Sequence, residues 1–394
     1  MYHTILKNNT PVIAKKITFD QMLFLFGVFM KQFYLLPSGS LQIGDIFMLC
    51  SFFCYFIIRR QGRLWINKED CWFFYYFLCI SFINGVYALI YLYIGFLKST
   101  LYYLFNMMIL MVFAVYVQGE NSSEFLGRLR KVLQFSLLTQ ALIYLFGIGK
   151  WYASSRYEGT FNDPNQYGVF IFFSVLIIYL IGCRFGQKNW YWILIGFLLV
   201  LPSASTGMLV GFLAFFVTFL FVNNYKKHPI KAMFFCGIGL VILLLAVGVM
   251  TGYIEIPSNI QELSVFKRFM AKIEDFSDAS STEGVVTDRG WSRILEAPEY
   301  FLFGAGEGKH DRFGSNLEIH SSILGPLFYY GVIPFLFFCC WCWQKVRRTK
   351  TEVKCVYIAL LAESFFLVNT RQPMFWMILA LGGIFLAKND EIKA

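Results

Sequence analysis

Long apolar segments alternate with short polar connections along almost the whole chain. A membrane span needs about 20 mostly apolar residues, and backbone groups facing lipid must find their hydrogen-bond partners within the segment, as an α-helix allows. The segment 190–202 is short, and 71–96 is long enough to tilt or break. The pattern predicts twelve helices, at 18–36, 41–58, 71–96, 99–118, 132–149, 167–183, 190–202, 206–223, 233–253, 319–343, 353–369 and 373–388.

The composition supports this pattern. Hydrophobic residues make up 58% of the 394 residues and charged residues only 15%, well below the roughly 25% of soluble domains. These values exclude an ordinary soluble globular protein. We therefore predict an all-α, polytopic membrane protein that forms a single membrane domain over 1–394, with 254–318 as its one large hydrophilic loop.

Basic residues predict the orientation of the chain. Twelve spans place both termini on the same side of the membrane. The connections on that side carry most of the lysines and arginines, whereas the short connections on the other side hold only Lys98, Lys150, Arg156 and Arg371. The positive-inside rule then predicts cytoplasmic termini and a periplasmic 254–318 loop. The net charge of +10 is thus a topology signal, and no nucleic-acid partner is predicted.

The 254–318 loop contains two predicted helices. An amphipathic helix begins near Ser258 and would lie at the membrane face. A shorter helix covers about 288–297 and would place Arg289 and Arg293, four residues apart, on one face. The ten cysteines lie in predicted spans or near their cytoplasmic ends, so a disulfide framework is not expected.

Polar segments gather at the predicted outer face. They are "SSRYEGTFNDPNQYGVF" (154–170), "LPSASTGM", "TDRGWSRILEAPEYFLFGAGEG" with "SNLEIHSS", and "NTRQP". Within the first of them, Pro164 favours a turn and Asn165 is a candidate cap for the sixth helix. We expect the segments to bring five side chains to one cavity: Arg156, Arg289, Arg293, His320 and Arg371.

Several arginines and one histidine at headgroup depth favour a lipid-diphosphate substrate. Arginine binds phosphate oxygens in bidentate geometry and stays charged, and it can neutralise a diphosphate leaving group. A neutral histidine can accept a proton from an attacking sugar hydroxyl. The outer segments contain no Asp–x–Asp element and no His/Cys cluster with ligand spacing. We therefore predict a reaction that needs neither metal nor cofactor.

Structural interpretations stand beside these functional ones. Arg156 alone would equally suit a side chain that extends to the lipid headgroups. The pair Arg289 and Arg293 would equally form a solvated helix face. His320, at the start of a predicted span, would equally be an interfacial hydrogen-bonding residue.

Two motifs carry a resemblance to a known family. "RYEGTFNDPNQYG" (156–168) resembles the Arg–x–x–Gly–x–Phe–x–x–Pro–Asn element of the O-antigen polymerase and O-antigen ligase superfamily. "FLFGAGEG" (301–308) followed by "IHSSILGPLFYYGVIP" (319–334) resembles that family's Gly-rich turn and His-led span. Two positions differ: Thr206 stands where family members often have arginine, and Ser321 where they have asparagine.

The resemblance implies a membrane glycosyltransferase of the C type. Such an enzyme transfers an undecaprenyl-diphosphate-linked glycan without a metal and with inversion, at the periplasmic face of the bacterial inner membrane. Arg156, Arg289 and Arg293 would hold the diphosphate, and His320 would orient or deprotonate the acceptor. Further candidate residues are Arg371, Asn165 and Tyr157 for substrate binding, Glu158 as the other base, and Glu318 as a more remote base.

The leading hypothesis is a polymerase that transfers the growing chain onto a lipid-linked repeat unit. Its expected partners are the lipid-linked oligosaccharides, membrane lipids and a chain-length regulator protein. A ligase with lipid A–core as acceptor remains an alternative, as does a flippase for lipid-linked oligosaccharides. A flippase would place polar residues at mid-membrane, where the residues to consider are Asp20, Lys31, Asp45 and Glu363.

Overall fold

The computed structural model describes residues 16–37, 41–59, 70–153, 155–187, 190–225, 289–314, 316–347 and 349–384, and these are mostly helical. The predicted span 233–253 and the predicted helix from Ser258 lie outside the described residues. The longer helices are α1 (Phe19–Met30), α2 (Ile43–Arg59), α3 (Cys71–Ile90), α4 (Leu97–Gln118), α5 (Ser122–Leu145), α6 (Pro164–Arg184), α7 (Tyr191–Val200) and α8 (Thr206–Tyr225). After 288 come α9 (Arg293–Glu296), α10 (Tyr300–Phe303), α11 (Leu324–Tyr330), α12 (Val332–Arg347), α13 (Thr351–Ser364) and α14 (Pro373–Ile384).

Among the described residues, three helices are long and apolar enough to cross a membrane. They are Cys71–Ile90, Ile94–Gln118 (a 3₁₀ turn followed by α4) and Pro164–Arg184. Five shorter helical stretches are also apolar: Phe19–Met30, Ile43–Ile57, Tyr191–Ser203, Thr206–Val222 and Pro373–Gly382. The described part of the chain is therefore a predominantly helical protein with membrane-spanning potential.

Two predicted segments are divided by backbone turns. The 71–96 segment ends its helix at Ile90, and Leu92 follows in the left-handed region at φ 47°. The 319–343 segment begins as extended chain, and its helix is interrupted at Gly331, which has φ 79°. A glycine accepts this conformation without steric cost. The interruption frees the Phe328 and Tyr329 carbonyls, which accept bonds from Ala305 N (3.0 Å) and Gly306 N (2.7 Å).

The all-α prediction was wrong for one short region. Strands β1 (Lys150–Tyr152) and β2 (Arg156–Gly159) form an antiparallel two-stranded sheet. The chain reverses between them at Ala153, which has φ 47°. Strand β1 is exposed and β2 is buried. The sheet turns the polar segment after α5 back onto the helices.

Helix α6 lies at the centre of the fold. Nearly all its residues are buried, and it packs against α5, α7, α8 and α14. Pro164 occupies its first turn, where the missing N–H costs nothing. The side chain of Asp163 caps the helix by accepting from Asn165 N (2.7 Å) and Gln166 N (3.3 Å). The cap predicted at Asn165 was wrong: Asp163 caps the helix, because it directly precedes the first helical residue and Asn165 lies inside the helix.

The connections between successive helices lie in turn at one end of the helices and at the other, and connections at the same end contact each other. At one end, Tyr34 N donates to Thr160 O at 3.1 Å, and Asn162 Nδ2 donates to Leu36 O at 2.9 Å. At the other end, Lys345 Nζ lies 2.6 Å from Asp70. The polar segments considered next all belong to the first of these ends, which we call the site end.

Candidate functional site

Arg156 joins two polar segments of the site end. Its Nε donates to the Ser203 carbonyl at 3.0 Å, and its Nη2 donates to Asn165 Oδ1 at 3.0 Å. Ser205 Oγ donates to the same Asn165 oxygen at 3.0 Å. The Arg156 side chain is buried, so it does not extend outward as a headgroup-seeking arginine would. It fixes the start of α6 against the turn that precedes α8.

Tyr157 is part of the core and not of an open surface. Its ring contacts Tyr144, Trp151 and Tyr167, with centroid distances of 4.9, 5.2 and 5.2 Å. It is only 1% exposed. Aromatic neighbours therefore cover the ring in this structure, and the contact of Tyr157 with substrate stays a prediction.

Glu158 is a buried acid next to the capping residue. Burial is the largest influence on its pKa and raises it, and Asp163 raises it further. Lys150 and Arg156 act in the opposite direction. An acid in this environment holds its proton more tightly than an exposed glutamate, as general acids and bases in enzymes do.

Arg289 and Arg293 do not share a helix face. The predicted 288–297 helix is reduced to Arg293–Glu296. Gly290 adopts φ 66°, and the Arg289 carbonyl accepts the backbone N–H of His320 at 3.0 Å. This bond replaces the helical one, so the turn breaks the expected i, i+4 relationship.

The two arginines face different surroundings. Arg289 Nη1 donates to the Phe366 carbonyl, and its guanidinium lies 5.5 Å from the Phe366 ring centroid. Arg293 is buried, and its guanidinium lies 5.5 Å from the Phe313 ring centroid. Burial lowers the pKa of Arg293, an effect that Tyr329 partly offsets. Arg289 is thus the one next to His320.

His320 lies in extended chain four residues before α11, not at the start of a helix. Its side chain reaches the surface. Partial burial of the ring is the largest influence that lowers the His320 pKa; Arg289 and Arg371 lower it further, while Glu318 and Asp163 raise it. Since the ordinary histidine pKa is about 6.5, the ring is neutral at pH 7 and can accept a proton.

Two serines after His320 anchor it to the loop between α13 and α14. Ser322 Oγ donates to Leu367 O at 2.8 Å, and Asn369 N donates to Ser322 Oγ at 2.6 Å. Ser321 Oγ accepts from Leu324 N at 3.1 Å and so caps α11. Serine at this position, where the resembled family has asparagine, therefore serves the helix start.

Arg371 forms ion pairs with two acids, and the sequence analysis did not predict either pair. Its Nη2 lies 2.6 Å from Glu307 Oε1, and its Nη1 lies 2.8 Å from Glu318 Oε2. Tyr330 Oη donates to the second oxygen of Glu307. The only sequence signal for Glu307 is an isolated acid within the Gly-rich "FGAGEG". Two carboxylates thus share the charge of Arg371, and its role in substrate binding stays a prediction.

The Gly-rich turn fixes the position of Glu307. Gly304 has φ 79°, and a Cβ there would collide with the backbone of Tyr330. Glu307 N donates to Asn84 Oδ1 at 2.9 Å, and Arg312 Nη2 donates to Gly306 O at 3.0 Å. These contacts connect α3 to the Glu307 carboxylate.

A small cavity of about 10 Å³ adjoins Arg371. This is about the volume that one water molecule needs. The residues that line this cavity include Tyr103, Glu307, Glu318, Ser321, Tyr329 and Arg371.

Within the described ranges, no three His, Cys, Asp or Glu side chains form a group suited to a metal ion.

The site combines a neutral, accessible imidazole with guanidinium groups and carboxylates at one end of an apolar helical bundle. The chain matches no protein-family model, and no curated protein matches it significantly. The likeness to O-antigen polymerases and ligases therefore rests on the sequence motifs described above. The chemistry of the site has to be argued from its own residues.

Proposed function

We propose that this chain is a membrane glycosyltransferase that polymerises a surface polysaccharide such as O-antigen. It transfers a growing glycan from undecaprenyl diphosphate to a lipid-linked repeat unit. One observation carries the proposal: the accessible imidazole of His320 lies beside Arg289, whose carbonyl accepts the His320 N–H at 3.0 Å. A proton acceptor next to a permanent cation suits an attack that releases an anionic leaving group.

The proposed membrane arrangement keeps twelve spans, with both termini in the cytoplasm of a bacterial inner membrane. The site end then faces the periplasm. The separation of alternate connections into two groups supports this arrangement, because each span reverses the side of the next connection. Three helices of spanning length and five shorter apolar stretches also support it.

The proposed chemistry forms one bond and breaks one. The acceptor sugar hydroxyl attacks the anomeric carbon of the donor, and its proton passes to the neutral nitrogen of His320. The bond between that carbon and the diphosphate oxygen breaks, and the electron pair leaves with undecaprenyl diphosphate. Arg289 offsets the developing negative charge.

The remaining residues have supporting roles in this proposal. Arg156 orients Asn165 and the start of α6 through its bonds to Ser203 and Asn165. Arg293 reaches the phosphates only if the aromatic groups around it move, because it is buried against Phe313. Glu158 is the next candidate base, since its pKa is raised by burial.

The buried charged groups considered for a transport path lie near helix ends. Lys31 directly follows α1 and contacts Asp45 at 2.6 Å. Glu363 is the second-last residue of α13. A path across the bilayer would place such residues at mid-membrane, so these positions favour the transferase over the flippase.

Incubation of purified protein with lipid-linked repeat units tests the proposal. A ladder of products that persists in excess EDTA is the expected result. A single transfer onto added lipid A–core would instead show a ligase, and movement of lipid-linked oligosaccharide across vesicles without new glycosidic bonds would show a flippase. Adding a chain-length regulator protein should narrow the ladder if that protein is a partner.

A further inference from the structure

Two buried oxygen atoms at the carboxyl end of α13 lack a hydrogen-bond donor among the described residues. They are Glu363 Oε1 and Asn369 Oδ1, on side chains that are 0% and 1% exposed. The same two side chains already share one bond, since Asn369 Nδ2 donates to Glu363 Oε2. Each group thus uses one atom in this pair and leaves its other oxygen unsatisfied.

Buried polar atoms are rarely left in this condition, because each carries a desolvation cost without a compensating bond. Two acceptors cannot bond to each other. A protonated carboxyl group, however, has an O–H donor, and an acid and an amide can then form a cyclic pair with two hydrogen bonds. We propose that Glu363 is a proton-binding site, with the proton on Oε1 donated to Asn369 Oδ1.

The surroundings of Glu363 suit a neutral acid. Gly211 of α8 packs so closely that a Cβ added to it would lie 3.0 Å from the Glu363 Cβ. Neither α8 nor α14 contains a charged residue. The only charged residue of α6 is Arg184, in its last turn. Elsewhere on α13, the charged residues are Glu352 and Lys354 in the first turn.

The other neighbouring segments are similar. The segment that contains Ser321 and Ser322 packs on the end of α13. The titratable residue nearest to these serines in sequence is His320, whose side chain reaches the surface. Arg371 in the following loop pairs with Glu307 and Glu318. Arg289 donates to the Phe366 carbonyl near the same helix end. Within the described part of the chain, none of these groups acts as a counterion for Glu363, whose one side-chain partner is Asn369.

The proton connects to the candidate site through Asn369. The backbone N–H of Asn369 donates to Ser322 Oγ at 2.6 Å, and Ser322 N donates to the Ser364 carbonyl at 2.8 Å. Loss of the proton would place a negative charge beside the Asn369 oxygen and weaken the loop that holds the His320 segment. The inference does not depend on the proposed polymerase activity.

Infrared spectroscopy of the purified protein tests the proton directly. We expect a C=O stretching band of a protonated carboxyl group at neutral pH, shifted in D₂O and lost in Glu363→Gln. Glu124→Gln is the matched control, because Glu124 is an exposed partner of Arg128, and it should leave the band intact. If the Glu363→Gln spectrum keeps the full band of the wild type, the proposal is overturned, since Glu363 would then be ionised.

Thermal unfolding provides a second readout. Glutamine reproduces the cyclic pair, because its oxygen accepts from Asn369 Nδ2 and its N–H donates to Oδ1. At neutral pH the unfolded chain ionises Glu363 whereas the folded chain keeps the acid protonated, so Glu363→Gln should melt above wild type. Stability that depends on a bound proton is lost as pH rises, so the advantage of the variant should grow as pH rises above about 4, where a glutamate in the unfolded chain loses its proton. A variant that fails to fold, or melts far below wild type at neutral pH, would contradict the proposed pair.

Discussion

Arg371 and Glu307 form an ion pair, with Nη2 and Oε1 2.6 Å apart, that joins the last connection at the site end to the Gly-rich turn. The pair is largely shielded, since the side chains are 22% and 10% exposed. Removal of one partner leaves the other charge poorly solvated, and breaking such a pair typically costs about 3–5 kcal/mol when it is fully buried.

Arg371→Ala should therefore lower the free energy of unfolding by about 3 kcal/mol, the lower end of that range because the pair is partly exposed. Glu307→Gln removes the charge but keeps the shape. Combined with Arg371→Ala, it should cost less than the sum of the two single changes. Thermal unfolding in detergent measures this, and strict additivity would show that the pair is not coupled.

Arg156→Lys tests the junction of the two segments that Arg156 joins. Arginine donates from two different nitrogens to Ser203 O and Asn165 Oδ1, which the single ammonium group of lysine cannot do. The loss of one charged hydrogen bond should cost about 1.5–3 kcal/mol. Arg128→Lys, at an exposed i, i+4 pair, is the control and should melt like wild type. Equal melting temperatures for both variants would refute the junction.

His320 should contribute through proton transfer. His320→Gln can still form hydrogen bonds but cannot take the proton, so chain extension should fall by about the 10²–10⁴-fold typical of a lost acid–base group. The protein should still reach the membrane. A fully active His320→Gln enzyme would remove the base assignment and make Glu158 the next residue to test.

The pH profile separates the proton role from a positional one. Only neutral His320 accepts a proton, so activity should be lost as pH falls through its pKa, which lies below the ordinary value. Glu318 raises that pKa. Glu318→Gln should therefore move the acidic limb of the rate profile to lower pH, and an unchanged or upward-shifted limb would contradict the assignment.

Glu158→Gln should raise the melting temperature at neutral pH. Burial raises the pKa of Glu158 in the folded protein, so its contribution to stability is present below the unfolded pKa and is lost as pH rises through the folded pKa. The advantage of the glutamine variant should accordingly vanish below about pH 4, where glutamate is protonated in both states. An advantage that persists at acidic pH would point to packing instead.

Reporter fusions test the proposed orientation. Fusions within 254–318 should report a periplasmic position, because the connections on the other side carry the basic residues. Fusions at 224–231 and 345–352 should report the cytoplasm. A cytoplasmic 254–318 segment would place every proposed site residue in the wrong compartment.

Local rules explain which features could be predicted from the sequence. Apolar segments of sufficient length form helices over most of the length that the structure describes, although 71–96 and 319–343 are divided by turns. The association of Arg156 with Asn165 follows from their closeness in one motif. The β1–β2 sheet was missed, because its strands are three and four residues long and polar turns carry the same signal.

Features that depend on distant partners could not be predicted. Gly290 turns the chain because His320 supplies a hydrogen bond from another segment, so the helix expected for Arg289 and Arg293 does not form. Glu307 becomes important only through Arg371 and Tyr330. No periodicity in a sequence encodes which distant guanidinium group an isolated acid will meet.

The Gly-rich turn also has a consequence for the order in which the protein matures. Asn84 is synthesised first, the Glu307 backbone N–H that it accepts follows much later, and Arg371 follows Glu307. A nascent chain that stops before α14 and the loop in front of it therefore holds Glu307 without the guanidinium group of Arg371. The ion pair can form only after that loop has been synthesised, whatever the order in which the earlier segments fold.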